Sequence, residues 1–243
     1  MHMPCLMDGE TLARRFRSYA NKIEYEARKI HRKPSKHSVH DLRVAIRRTR
    51  SILWISRRGP KSRGLEKLNR QLRKLNRRLG RVRELEVAIT DARTFRIKSG
   101  NLKKRRDQLS EKIAPLLAQK DRDRIQRKIK KATQNIRRTD RGLITESFAE
   151  LHKQLAKWRK ATLRRKSEIH RFRIFIKRLR YVSEVMGQNA KPLVNLQNAL
   201  GAFHDLEVLE KLAGPNREVR AEMNKQRSHL NHLIPRTRVH PAK

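Results

Sequence analysis

Two stretches of this sequence each occur twice, in the same order, and that repetition limits the fold more than any other feature. His40-Asp-Leu-Arg-Val-Ala-Ile-Arg-Arg-Thr-Arg50 aligns with His170-Arg-Phe-Arg-Ile-Phe-Ile-Lys-Arg-Leu-Arg180, 130 residues later. Leu79-Gly80-Arg-Val-Arg-Glu-Leu-Glu-Val87 aligns with Leu200-Gly201-Ala-Phe-His-Asp-Leu-Glu-Val208, 121 residues later. The nine-residue difference fits in the RRGPKSRG loop of the first copy. Ordered blocks of this kind predict two halves of one architecture, related by a pseudo-twofold axis, each half a small helical bundle.

The residues between the blocks are helix formers: Arg, Lys, Leu, Glu, Gln and Ala. Alternating strand patterns are absent. Breaks fall at Pro34, Gly59-Pro60, Ser99-Gly100, Arg141-Gly142, Gly187, Lys191-Pro192, Gly214-Pro215 and Pro235. They delimit helices near 9–32, 38–57, 63–97, 101–138, 142–165, 168–186, 192–212 and 216–233. Further breaks are expected at Gly80 and Gly201, and a kink or split at Pro115. Ser38 followed by Asp41 reads as a helix start, with the serine as N-cap. Val39, Leu42, Ile46 and Leu53 form one apolar stripe, as do Ile169, Phe172, Ile176 and Leu179. The chain therefore reads as folded and all-α. The segment 101–138, with KKRRDQ and KDRDRIQRKIKK, reads as a solvated or partly mobile basic helix. Trp54 and Trp158 read as core. Domain boundaries follow: tails at 1–8 and 234–243, repeat halves near 9–118 and 141–233, and a basic helical connector over 119–140.

On a helix of 3.6 residues per turn, with His40 at 0°, Arg43, Arg47 and Arg50 lie near about 300°, 340° and 280°. All four share an arc of about 80° over about 15 Å. His170, Arg173, Lys177 and Arg180 repeat the arrangement. Each ladder borders the apolar stripe, whereas Arg48 and Arg178 point toward solvent or a second helix. A basic stripe in a chain with 64 Lys and Arg is ordinarily a solvated face. Its recurrence at the same spacing, along the edge of a core face, points instead to a bound anion. Cations held in a row repel one another and gain stability when an anion joins them.

Net charge supports that reading. The 64 basic and 23 acidic residues leave +41 among 243 residues, and hydrophobic residues are only 36%. No stretch approaches the 18 apolar residues of a membrane span, and the first ten residues do not resemble a secretory signal. Cys5 is the only cysteine, which excludes an internal disulfide and any cysteine-based metal cluster, and fits a cytoplasmic setting. No nucleotide-binding glycine loop and no H-E-x-x-H occurs. His37/His40 and His229/His232 are spaced i, i+3, but such pairs arise easily among ten histidines, so no metal site is assigned.

The blocks resemble the conserved histidine α-helical domain family, abbreviated CHAD. Its pattern H-x-x-R-x-x-x-[RK]-R-x-R is met by His40, Arg43, Arg47, Arg48 and Arg50, and again by His170, Arg173, Lys177, Arg178 and Arg180. Tyr181, Glu184, Leu196-Gln197 and Leu200-Gly201 before His204-Asp205 extend the second copy in the family's manner. The resemblance runs from about residue 9 to 233. It implies two four-helix bundles about a pseudo-twofold axis, a basic central pore or groove, and binding of inorganic polyphosphate, often in polyphosphate granules. The chain departs from the pattern at Glu84, where the family usually has Asp, at Thr49 for Leu, and at Ser51 and Trp54 in place of the Tyr–Glu extension. Some members carry a triphosphate-tunnel enzyme domain marked by E-x-E-x-K. Glu84-Leu-Glu86-Val-Ala88 lacks that lysine, so no such domain is read here.

Polyphosphate carries about one charge per phosphate and no bases, so charge and phosphate-oxygen hydrogen bonds are the only grip. Arginine supplies both through a planar fork that stays charged. The expected contacts are His40, Arg43, Arg47, Arg50, His170, Arg173, Lys177 and Arg180, then Arg83 and His204 from the second block. Tyr181 either donates its hydroxyl or packs. His40 is expected in the first helical turn, and binding is expected to tighten as pH falls near 6–7. The rival reading is a general nucleic-acid-binding protein, although aromatic residues at 5% offer few stacking platforms. A granule-organising protein is a third reading, and an enzyme acting on polyphosphate the least supported. No cofactor is implied, and the sequence leaves the oligomeric state open.

Overall fold

A computed structural model gives the fold and describes residues 7–33, 35–58 and 62–237. Cys5, Pro34 and Gly59-Pro60 lie outside the described residues. Among those described there are nine α-helices and no strand: α1 (Gly9–Arg32), α2 (Lys36–Ile55), α3 (Ser62–Thr94), α4 (Gly100–Glu111), α5 (Gln119–Arg137), α6 (Arg141–Arg159), α7 (Lys166–Val185), α8 (Lys191–Ala213) and α9 (Arg217–Arg236). Short 3₁₀ segments follow α2 and α4. The all-α expectation is met.

Several local expectations are corrected. α3 runs unbroken through Gly80, and α8 through Gly201. One glycine costs a helix only about 1 kcal/mol, which the flanking buried leucines outweigh. Pro115 does split the fourth segment, beginning a 3₁₀ segment over Ala114–Leu117. α9 continues to Arg236, past the expected start of the C-terminal tail. The N-cap of α2 is Ser35, not Ser38. Ser35 Oγ accepts from Ser38 N–H at 3.1 Å, and Ser38 Oγ accepts from Ser35 N–H at 3.2 Å. The capping box therefore starts one turn earlier than expected, with Ser38 at N3 instead of the N-cap.

The contacts cluster into two compact units. One holds Met1–Arg83 and Asp107–Ala149; the other holds Glu84–Arg106 and Glu150–Ala242. In the first, α1 packs against α2 and α5. Leu12, Phe16, Ile23 and Ile30 of α1 are buried, spaced so that they share one face. Segment 101–138 is not a solvated rod. Its α5 buries Ile125, Ile129, Ala132 and Ile136. Arg122 Nε donates to Glu24 Oε1 of α1 at 3.2 Å, and Lys128 Nζ donates to Gln71 Oε1 of α3 at 2.7 Å. In the second unit α8 packs against α7 and α9. Trp158 lies 4.9 Å from Phe172 and 6.4 Å from Phe175, ring centre to centre. Asn231 ties the 160s loop to α9, its Oδ1 accepting from Leu163 N–H at 3.0 Å. Gly187 and Gly214 take φ of 74° and 94° where α7 and α8 end, a conformation that favours glycine.

Candidate functional site

The first-copy ladder, His40 to Arg50, lies on α2 in the first unit; the second, His170 to Arg180, lies on α7 in the second. Each helix places its histidine alike. His40 follows the Ser35 N-cap by five residues, and His170 follows the Arg165 N-cap by five. His40 is therefore in the second turn, not the first, and the free N–H groups of the helix start do not reach it. Glu168 closes the start of α7, accepting from the N–H groups of Arg164 and Arg165 at 2.9 Å each.

In the first unit the ladder runs beside α3 in antiparallel register. Arg50 Nε donates to Asn69 Oδ1 at 2.8 Å. Arg43 lies against Gly80: a β-carbon there would stand 3.7 Å from Nη2 and 3.9 Å from Cζ. Partial burial holds the His40 imidazole below the ordinary histidine range. The positive charges of Arg47, Arg83 and Arg43 act the same way, and Asp41 opposes them. His40, Arg43, Arg47 and Arg83 are thus gathered into one positive field. The neighbouring polar positions are internally satisfied. Buried Thr49 donates to Ala45 O at 2.9 Å, and Ser51 donates to Arg47 O at 3.1 Å. Arg48 turns away from the ladder, its guanidinium 5.7 Å from the Tyr19 ring centre on α1.

In the second unit the His170 ring stands 6.1 Å from that of His204 on α8. The two repeat blocks thereby meet, as they do in the first unit where Arg43 lies against Gly80. Burial again lowers the His170 pKa, with His204, Arg173 and Lys177 adding to it and Glu207 opposing. Glu207 Oε2 lies 3.7 Å from His204 Nδ1. Both histidines open onto a groove of about 1210 Å³ whose lining includes Lys166, Arg171, Lys211 and Arg220. Three carboxylates also line it: Glu84, Glu207 and Glu210. Glu210 binds two of the cations, Lys166 at 3.0 Å and Arg220 at 2.5 Å, and those bonds hold its carboxyl below the usual carboxylate range.

One ladder member and its neighbour have other commitments. Arg180 Nε donates to Glu184 Oε1 at 2.8 Å, and its guanidinium lies 5.3 Å from the Tyr181 ring centre. Tyr181 itself is buried, 4% exposed, so its ring packs. Lys166 and Arg220 escaped the sequence reading. Lys166 was legible, because it lies four residues before His170 and shares its face. Arg220 was not, since nothing local ties α9 to the repeat. Trp54 is half-buried beneath Arg57, whose guanidinium is 4.2 Å from its ring. Among the described residues no group of three or more His, Cys, Asp or Glu is placed to hold a metal ion. No helix among them is long and apolar enough to cross a membrane.

Fold and site together define an all-α protein in which a histidine-headed cation ladder recurs, once in each of two units. The profile of the CHAD domain matches residues 14–214, and the chain belongs to that family. Its fold is similar to that of the CHAD domain from the plant Ricinus communis, with a TM-score of 0.67, 20% identity, and coverage of 95% of this chain and 91% of that one. It is also similar to PptA from Streptomyces chartreusis, with a TM-score of 0.53, 14% identity, and coverage of 95% and 96%. No curated protein sequence matches the chain.

Proposed function

We propose that the protein binds inorganic polyphosphate without transforming it. The tracks are His40, Arg43, Arg47 and Arg50 with Arg83, and His170, Arg173, Lys177 and Arg180 with His204. The observation that carries this reading is the repeated meeting of the two sequence blocks: Arg43 lies against Gly80 in one unit, and His170 stands 6.1 Å from His204 in the other. An extended anion with regularly spaced charge matches a row of cations on one helix face. Each charge-assisted hydrogen bond contributes about 1.5–3 kcal/mol, offset in part by ordering the polymer. Buried Tyr181 supports its ladder through packing. The proposed setting is cytoplasmic, with targeting to polyphosphate granules as the role, and the repeat halves 9–118 and 141–233 supply one track each.

The test is competition at physiological salt. Labelled long-chain polyphosphate is bound, then challenged with duplex DNA and single-stranded RNA, with Arg43→Ala/Arg173→Ala as the control. Polyphosphate is expected to win by orders of magnitude, and the double variant to lose at least about a hundredfold in affinity, two charge-assisted bonds' worth. If nucleic acid competes on equal terms per charge, the protein is a general backbone-polyanion binder.

A further inference from the structure

The first unit also holds a basic pocket that shares no lining residue with the ladder. At the end of α1 and the start of α5, a pocket of about 290 Å³ is lined by Arg28, His31, Arg32, Gln119 and Arg122. Four of these five side chains are basic groups, and none is a carboxylate. The large groove of the second unit differs, since three glutamates line it.

The pocket is built rather than left over. Arg122 is buried, 7% exposed, and fixed on three sides. Nε donates to Glu24 Oε1 at 3.2 Å, Nη1 donates to Leu117 O at 2.6 Å, and Nη2 donates to Gln119 Oε1. A guanidinium has five N–H donors, so one on Nη1 and one on Nη2 remain. Glu24 also accepts from Arg28 Nε at 2.7 Å, orienting a second fork. His31 Nδ1 lies 3.1 Å from Ala114 O, which fixes the ring. Asp123 holds the Gln119 amide at 3.0 Å from outside the lining. One carboxylate therefore positions two arginines without filling the space between them. Burying a guanidinium with so little countercharge is unfavourable, and a bound oxyanion would offset it.

We propose that this pocket is a site for a compact phosphate-type oxyanion, orthophosphate or pyrophosphate, held by Arg28, Arg32 and Arg122 with His31 and Gln119. Its volume is at the small end of ligand pockets, about 300–1,000 Å³, and its mostly cationic lining suits one or two phosphoryl groups. The inference does not depend on the ladders.

The experiment isolates the pocket by weakening the ladders first. Orthophosphate and pyrophosphate are titrated calorimetrically into full-length Arg47→Ala/Lys177→Ala protein. One saturable site is expected to persist for at least one of the two. Adding Arg32→Ala should weaken it by about tenfold or more, the loss of one charge-assisted hydrogen bond. Arg32 is exposed, so this variant spares the packing that Arg122→Ala would disturb. Arg124→Ala, which removes an exposed cation from α5 outside the pocket, should leave the affinity unchanged. Absence of a saturable site, or equal losses for Arg32→Ala and Arg124→Ala, overturns the proposal.

Discussion

At the scale of single residues, the two ladder histidines are held toward the neutral form. Burial and neighbouring cations hold both His40 and His170 below the ordinary histidine value of about 6.5. A polyanion alongside raises both pKa values, so binding takes up protons and affinity rises as pH falls. Since the free imidazoles titrate below about 6.5, the rise continues under that pH instead of ending between 6 and 7. Polyphosphate affinity measured from about pH 8 to pH 5 should show this slope, and His40→Ala/His170→Ala should flatten it. A double variant with the wild-type slope removes the histidines from the account. Without ligand the same two groups act against stability. Their lowered pKa values favour the neutral folded form, so folding weakens as pH falls through about 6.5. The residue pattern of both ladders was legible because helical spacing and repetition reinforce one another. The N-cap was misread because Ser35 and Ser38 are the same residue type one turn apart. The Arg28–Arg122 pocket was not legible: its members come from positions 28–32 and 119–122 and belong to no repeat.

At the scale of helices, the arrangement of α7, α8 and α9 sets how open the second groove is. Glu210 on α8 occupies two cations, Lys166 on α7 and Arg220 on α9. Both cations are more than 60% exposed, so each pair contributes only about 0–1 kcal/mol to stability. Their effect on polyphosphate binding would be larger, because an incoming phosphate would have to displace the carboxylate and would also meet its charge. Glu210→Gln should therefore tighten polyphosphate binding several-fold at low salt with little change in Tm. Unchanged affinity in an equilibrium titration would mean that the polymer does not reach this groove. α5 teaches a related lesson about reading composition. Its run of basic residues suggested a solvated connector, yet Ile125, Ile129, Ala132 and Ile136 recur at i, i+4, i+7 and i+11 and seat it in the first unit. The periodicity was present in the sequence, and charge density concealed it.

At the scale of the whole molecule, +41 on 243 residues is a standing load of self-repulsion. Salt screens it, and so does a bound polyanion. Tm should therefore rise with ionic strength in the free protein, while polyphosphate affinity falls over the same range. Thermal melts across a salt series, paired with binding isotherms, test both slopes; a Tm that falls with salt would show that attractive ion pairs such as Lys22–Glu26 and Arg137–Glu10 outweigh the excess of like charge. The Glu210 pairs also bear on how quickly a bound polyanion could leave. A polyanion seated on Lys166 and Arg220 would leave the displaced Glu210 carboxylate beside both cations, ready to pair with them again. Neither cation would then be left bare, so such a ligand could peel away in small steps. A clasp that closes on itself as it releases would favour exchange of a bound chain over holding it indefinitely.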